Sequence, residues 1–163
     1  MSGTRIIEAR TDKEWGQGCS LLRRVYVGEG YTDADRAAQF QSRERMGPAG
    51  VFLLAVDDAG DVKGAVLFLH EGSGLQQIAI AGEREFRMLA VDPEARGAGV
   101  GEMLVQACIA LARADDALGL VLWTQPTMPT AQRLYERLGF VRDPDRDVPD
   151  PRGWDRMVYV RIF

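Results

Sequence analysis

From Glu85 to Gly101 an apolar β-type run, Glu-Phe-Arg-Met-Leu-Ala-Val, is stopped by Asp92-Pro93 and delivered through Glu94-Ala95-Arg96 into three alternate glycines, Gly97, Gly99 and Gly101. Val100, Met103, Leu104, Ala107, Cys108, Leu111 and Ala112 then recur at the spacing of one helix face. A strand that turns so tightly into a helix leaves several N–H groups unpaired at the positive end of the helix dipole, which makes an anion site. Glycine suits the turn because a side chain would hold a phosphate away from the backbone, and because such turns use positive φ. Arg96 would add positive charge. By spacing alone, a flexible strand-to-helix turn remains the competing reading. Two other phosphate loops fail on the letters. The dinucleotide fingerprint needs glycine where Glu102 stands, and no Gly-Lys-Ser/Thr follows Gly97 as a nucleotide triphosphate loop requires.

The surrounding pattern is that of one mixed α/β domain spanning residues 1–163. Thr4 to Ala9 reads as a strand, and Thr11-Asp-Lys-Glu14 as a capping box ahead of a helix bearing Trp15, Cys19, Leu22 and Tyr26 on one face. Gly28 and Gly30 interrupt, and Thr32 can cap a second helix. Val51–Val56 and Val62–Leu69 form a hairpin around Asp57 to Asp61. The strand from Glu85 to Val91 alternates Phe86, Met88 and Ala90 against Glu85, Arg87, Leu89 and Val91. Leu118 to Thr124 is a buried strand, Ala131 to Leu138 a helix closed by Gly139 with Phe140 folding back on it, and strand-helix-strand here implies parallel pairing. Arg142 to Gly153 is a polar surface loop, and Asp155 to Phe163 a final strand whose edge could serve a homodimer.

Composition excludes several classes. A net charge of −4 with scattered arginines argues against a nucleic-acid partner; Arg84, Arg87 and Arg96 form the one local concentration of basic residues near the turn. No apolar run reaches membrane-spanning length and the amino terminus has no signal-peptide pattern, so the expectation is a cytoplasmic protein off the membrane. With one histidine, His70, at a strand end, there is no metal cluster and no Ser-His-Asp triad; Cys19 and Cys108 fall on apolar helix faces as free thiols.

Arg96-x-x-Gly99-x-Gly101 resembles the R/Q-x-x-G-x-G/A signature of the GNAT superfamily of N-acetyltransferases, and Ala131-x-x-Leu134-Tyr135-x-x-x-Gly139-Phe140 resembles its second landmark helix. The likeness covers residues 85 to 142. It implies a mixed sheet, antiparallel in its first half, splayed between the fourth and fifth strands and carrying helices on both faces. It also implies acetyl-coenzyme A as co-substrate: Leu89, Ala90 and Val91 pairing with pantetheine, and Arg96, Gly97, Ala98, Gly99, Val100, Gly101 and Glu102 holding the pyrophosphate. Tyr135 would protonate the departing thiolate, or else is a packing residue with a satisfied hydroxyl. Glu85 would be the base, or else belongs to a solvated Glu83-Arg84-Glu85 cluster. Relatives often carry asparagine where this chain has Met128; Thr127 or Thr130 could replace its polar contact.

The reaction expected is direct attack of a small-molecule or peptide amine on the thioester, in a ternary complex and with no covalent enzyme intermediate. In similar enzymes the acceptor lies against the loops equivalent to Tyr26–Asp35 and Arg142–Trp154. Both are acidic here, so a cationic amine is the expectation. A protein of another class, an acyl-coenzyme A sensor without catalysis, fits the same scaffold.

Overall fold

Leu53, Ala55, Val66 and Phe68 alternate with Phe52, Leu54, Ala65 and Leu67, and both sets are buried, so the two apolar runs need cover on each face. The computed structural model, which describes residues 3–163, supplies it with helices on both sides of a twisted sheet. In chain order the strands are β1 (Arg5–Glu8), β2 (Gly50–Val56), β3 (Val62–Leu69), β4 (Glu83–Val91), β5 (Gly119–Thr124), β6 (Val141–Arg142), β7 (Val148–Pro149) and β8 (Asp155–Ile162). The helices are α1 (Asp12–Gly28), α2 (Ala34–Phe40), α3 (Arg43–Met46), α4 (Val100–Ala114) and α5 (Pro129–Arg137). Strand order is β1-β2-β3-β4-β5-β8-β6, with β7 also paired to β8; β1 to β4 are antiparallel and β5 runs parallel to β4.

Thr11 and Glu14 do form the capping box: the Thr11 hydroxyl accepts from the Glu14 N–H at 3.1 Å, and the Glu14 carboxylate accepts from the Thr11 N–H at 2.9 Å. Trp15, Cys19 and Leu22 of α1 pack with Phe52, Leu54 and Leu67 on one face. Leu104, Cys108 and Ala112 of α4 and Tyr135 and Leu138 of α5 pack with Leu53, Val66, Phe68 and Phe86 on the other. Each fully buried Leu or Phe contributes roughly 1.5–3 kcal/mol. Gly139 takes φ +89°, and the Phe140 N–H donates to the Tyr135 carbonyl at 3.0 Å, the helix ending read from the sequence.

The functional geometry comes from β4. It pairs with β5 only over Glu83–Glu85 against Gly119–Val121, while β5 stays paired with β8 as far as Thr124. Beyond Glu85 the two strands part, and the sheet is splayed there. On its other side, Ala65 faces Ala90 and Leu67 faces Arg87, so β4 carries one residue more than β3 over that stretch. This bulge puts Met88 at φ +61°.

The bulge corrects the expected alternation. Phe86 shares a face with Leu89 and Val91, whereas Met88 and Ala90 lie on the α1 side. Four smaller corrections accompany it. Leu118 is exposed and precedes β5; Asp33, not Thr32, caps α2 by accepting from the Arg36 N–H. Residues 142–153 lie at the surface as expected, but they also include β7 and an ion-paired, buried Asp150. Nor is β8 a free edge, since β5 lies on one side and β6 and β7 on the other. The physical reason is the same for the last two: Asp147 and Asp150 find arginine partners that let polar chain fold against β8.

Candidate functional site

Two cavities open where β4 and β5 separate, and they meet. The larger, about 550 Å³, is walled by the glycine turn, by Leu89–Val91 and by α5. Gly97 and Gly99 take φ of +85° and +81°, and a Cβ at either would meet nothing within 4 Å. Their backbone conformation therefore calls for glycine, and no neighbouring protein atom does. The first bond of α4 runs from the Met103 N–H to the Gly99 carbonyl at 3.0 Å. The N–H groups of Val100, Gly101 and Glu102 therefore have no helical acceptor, and all three residues line the cavity. With the unpaired edge of β4 beside it, the site fits a ligand with an anionic end and an amide-bearing arm, which are the features of coenzyme A.

Arg96 lies at this cavity but does not point freely into it. Its Nη1 and Nη2 donate to the two Glu29 oxygens at 2.7 and 2.6 Å, a pairing that lowers the Glu29 carboxyl and raises the guanidinium. Arg133 and Arg137, four apart on α5, line the same cavity and were missed in the sequence, where their spacing from the Ala131–Leu134 stripe was the available signal. Thr130 is in the wall with its hydroxyl accepting from Arg133; Thr127 is exposed and outside it. The three basic residues near the turn disperse: Arg84 is tied to the Leu69 carbonyl and to Asp115, Arg96 to Glu29, and Arg87 turns to the second cavity.

That second cavity, about 190 Å³, lies beyond Tyr26, Leu89, Met128 and Ala131, which line both. The Tyr26 hydroxyl donates to the Leu89 carbonyl at 2.8 Å, and burial pushes its ionisation up. Tyr135 stands in the wall, 5% exposed, with its ring about 6 Å from those of Phe86, Phe140 and Tyr159. Burial drives its phenol far above the ordinary value, so it stays protonated throughout any working pH range. Its ring is thus part of the aromatic packing, and the residue also lines the cavity. Met128, in the place of asparagine, sits at the junction and its sulfur meets the Thr124 hydroxyl at 3.6 Å.

Glu85 is neither solvated nor in the wall of either cavity. It is completely buried, and its carboxylate accepts from the N–H groups of Gln77, Ile78 and Ala79 at 3.1, 2.8 and 3.0 Å. It thus anchors the segment that carries Gln77 into the cavity wall. The acidic character of the two loops does not carry over to the smaller cavity. Among the described residues the smaller cavity has Arg36, Arg45, Arg87 and Arg152 in its walls and no acidic side chain. Four of the loop acids are engaged elsewhere, Glu29 with Arg96, Asp33 at the α2 cap, Asp147 with Arg142, and Asp150 with Arg152 and Arg156, and none of the loop acids lines this cavity.

His70 is exposed at the end of β3, and Cys19 and Cys108 are buried free thiols. Among the described residues no cluster of metal-binding side chains occurs, and no helix is long and apolar enough to cross a membrane.

Comparison with known proteins agrees with this geometry. The family model described as the acetyltransferase (GNAT) domain matches residues 48–142. A mycothiol acetyltransferase of Salinispora tropica is 40% identical over 110 residues, 65% of this chain and 34% of that protein. N-alpha-acetyltransferase 30 of Xenopus laevis is 31% identical over 150 residues, 78% of this chain and 54% of that protein. The chain thus spans about a third and about a half of these two relatives. Among solved structures, an acetyltransferase of the GNAT family from Staphylococcus aureus Mu50 superposes with a TM-score of 0.77 at 19% identity, covering 98% of this chain and 99% of its own. A GCN5-related N-acetyltransferase from Kribbella flavida gives 0.74 at 23% identity, with 98% of each chain covered. The family match takes in the bulged strand, the glycine turn and the Tyr135 helix, all of which line the cavities, and the chain belongs to the GNAT family of acetyltransferases.

Proposed function

We propose that this chain transfers an acetyl group from acetyl-coenzyme A to a primary amine, by direct attack within a ternary complex. The observation that carries the reading is the meeting of the two cavities at Leu89 and Ala131, with Tyr135 in the wall of the smaller. The unpaired amides of residues 100–102 would hold the pyrophosphate, and the free edge of β4 at residues 89–91 the pantetheine arm. Bound there, the coenzyme supplies a thioester activated for acyl transfer.

Tyr135 donates its phenolic O–H to the sulfur that leaves. A phenol of reference pKa about 10 facing a thiol of about 8.5 is uphill by roughly 2 kcal/mol, so its part is a strong hydrogen bond that tightens as the thiolate charge develops. Burial raises both groups together and preserves that order. The amine must arrive neutral. Glu85, sealed by three amides, takes its proton only through an intervening water or after residues 77–79 move, and its first task is to shape the cavity. Neither thiol competes as a nucleophile, since both are buried and burial raises both.

Coenzyme A release with thiol detection, across a panel of amines and with Tyr135→Phe beside the wild type, tests this. Amine-dependent release that falls about tenfold or more in the variant, at unchanged acetyl-coenzyme A affinity, is expected. Cofactor binding with no turnover of any amine would instead favour a sensor on the same scaffold.

A further inference from the structure

The acceptor itself can be narrowed from the charge of its cavity, an inference that rests on the reading just given. We propose that the acceptor is a small amine that also carries an oxyanion, a carboxylate or a phosphate, and that Arg36, Arg45 and Arg87 hold that group.

Four guanidinium groups face a space of about 190 Å³ that has no carboxylate in its walls. Arg152 is answered by Asp150, but that one carboxylate also serves Arg156. Arg36, Arg45 and Arg87 make no ion pair among the described residues. Arg36 and Arg45 both stand over the Phe40 ring, at 5.6 and 5.3 Å, which positions them without neutralising them. Arg87 donates one N–H to the Leu75 carbonyl at 3.1 Å and lies over Trp123 at 5.7 Å, leaving its other donors uncommitted.

These charges oppose one another. Burial, together with the fields of Arg156 and Arg36, pushes Arg87 down to about 10, with Glu85 the carboxylate that resists the shift. Glu85 is itself occupied by the amides of residues 77–79. A ligand oxyanion relieves this repulsion and matches guanidinium geometry two N–H groups at a time, whereas a polyamine would add to it.

A second observation marks the same wall as built for a polar ligand. Gln41, 5% exposed and lining the cavity, has its side-chain Oε1 buried with no hydrogen-bond partner. An orphaned buried amide oxygen is costly unless a ligand N–H or O–H reaches it. The volume is below that of a drug-sized pocket and suits a molecule about the size of an amino acid.

The test uses matched amines with acetyl-coenzyme A: alanine and glutamate against their methyl esters, phosphoethanolamine against ethanolamine, and spermidine as the cationic arm. Wild type is compared with Arg87→Gln and with the Arg36→Ala/Arg45→Ala double variant, whose side chains lie outside the core. An oxyanion-bearing amine should be preferred by about tenfold to a hundredfold in kcat/KM. The variants should raise its KM by a similar factor and leave acetyl-coenzyme A affinity unchanged. Carboxylate and phosphate arms distinguish the two oxyanions.

Turnover of esters or spermidine at equal or better rates would overturn the proposal while leaving acetyl transfer intact. If no amine turns over, calorimetry on the coenzyme A-saturated protein decides. Arginine-dependent binding of alanine, glutamate or phosphoethanolamine upholds the anion site and defeats the transfer reading; absence of such binding defeats the anion site.

Discussion

Asparagine and aspartate at position 99 differ by one charge and little else, and that difference isolates the anion site. Gly99 sits at φ +81°, where a Cβ would meet nothing within 4 Å, so both substitutions incur the same left-handed strain and no clash. That strain is about 1–2 kcal/mol, moderated because Asn and Asp tolerate this region better than other residues. At roughly 2–4 °C per kcal/mol for a chain of this size, both variants should melt about 2–8 °C lower. Only Gly99→Asp adds a negative charge beside the unpaired amides of residues 100–102. At about 6 Å and an effective dielectric of about 40, each phosphate charge would be opposed by about 1.4 kcal/mol, a factor of about ten. With one to two phosphate charges in range, coenzyme A should bind Gly99→Asp about tenfold to a hundredfold more weakly than Gly99→Asn. The gap should narrow at about 0.5 M salt, because the turn is open to solvent. Titration calorimetry with coenzyme A, alongside thermal melts of both variants, measures it. Equal affinities for the two variants would refute the pyrophosphate assignment, whatever happened to stability.

Glu29→Gln frees the Arg96 guanidinium at the edge of the same cavity and should tighten coenzyme A binding by about twofold to fivefold, read by the same calorimetry. Glu85→Gln replaces a buried carboxylate that accepts three amides and should cost about 1–3 kcal/mol, seen as a lowered Tm, together with a raised KM for the amine as Gln77 loses its footing. Asp150 is held well below the usual carboxylate range, chiefly by hydrogen bonds from Arg152 against a desolvation cost. A depressed folded-state value gives stability that is full above the unfolded value of about 3.9 and is lost as pH falls below it. Asp150→Asn should therefore melt several degrees lower at pH 7, and this difference from wild type should shrink in melts taken at progressively lower pH beneath about 4.

Glycines 97 and 99, the capping box of α1 and the Gly139 helix ending were legible in the sequence because each is a local device: backbone freedom, a cap, a helix ending. The antiparallel first half and the parallel strand-helix-strand unit followed from the order of those elements. What the tertiary structure decided are the facts that depend on partners far along the chain. The bulge at Met88 moves Phe86 to the face opposite Met88 and Ala90, and no letter in the strand announces an extra residue relative to β3. Glu85 reads as a surface charge beside Glu83 and Arg84, yet three amides from residues 77–79 offset its desolvation in the core. The acidic loops read as an attraction for cations, yet Glu29, Asp147 and Asp150 are taken by Arg96, Arg142, Arg152 and Arg156, and no loop acid lines the cavity on which Arg36, Arg45 and Arg87 converge. Composition sums charges over a segment; the field in a cavity is set by which side of each ion pair faces it, and only the folded chain determines that.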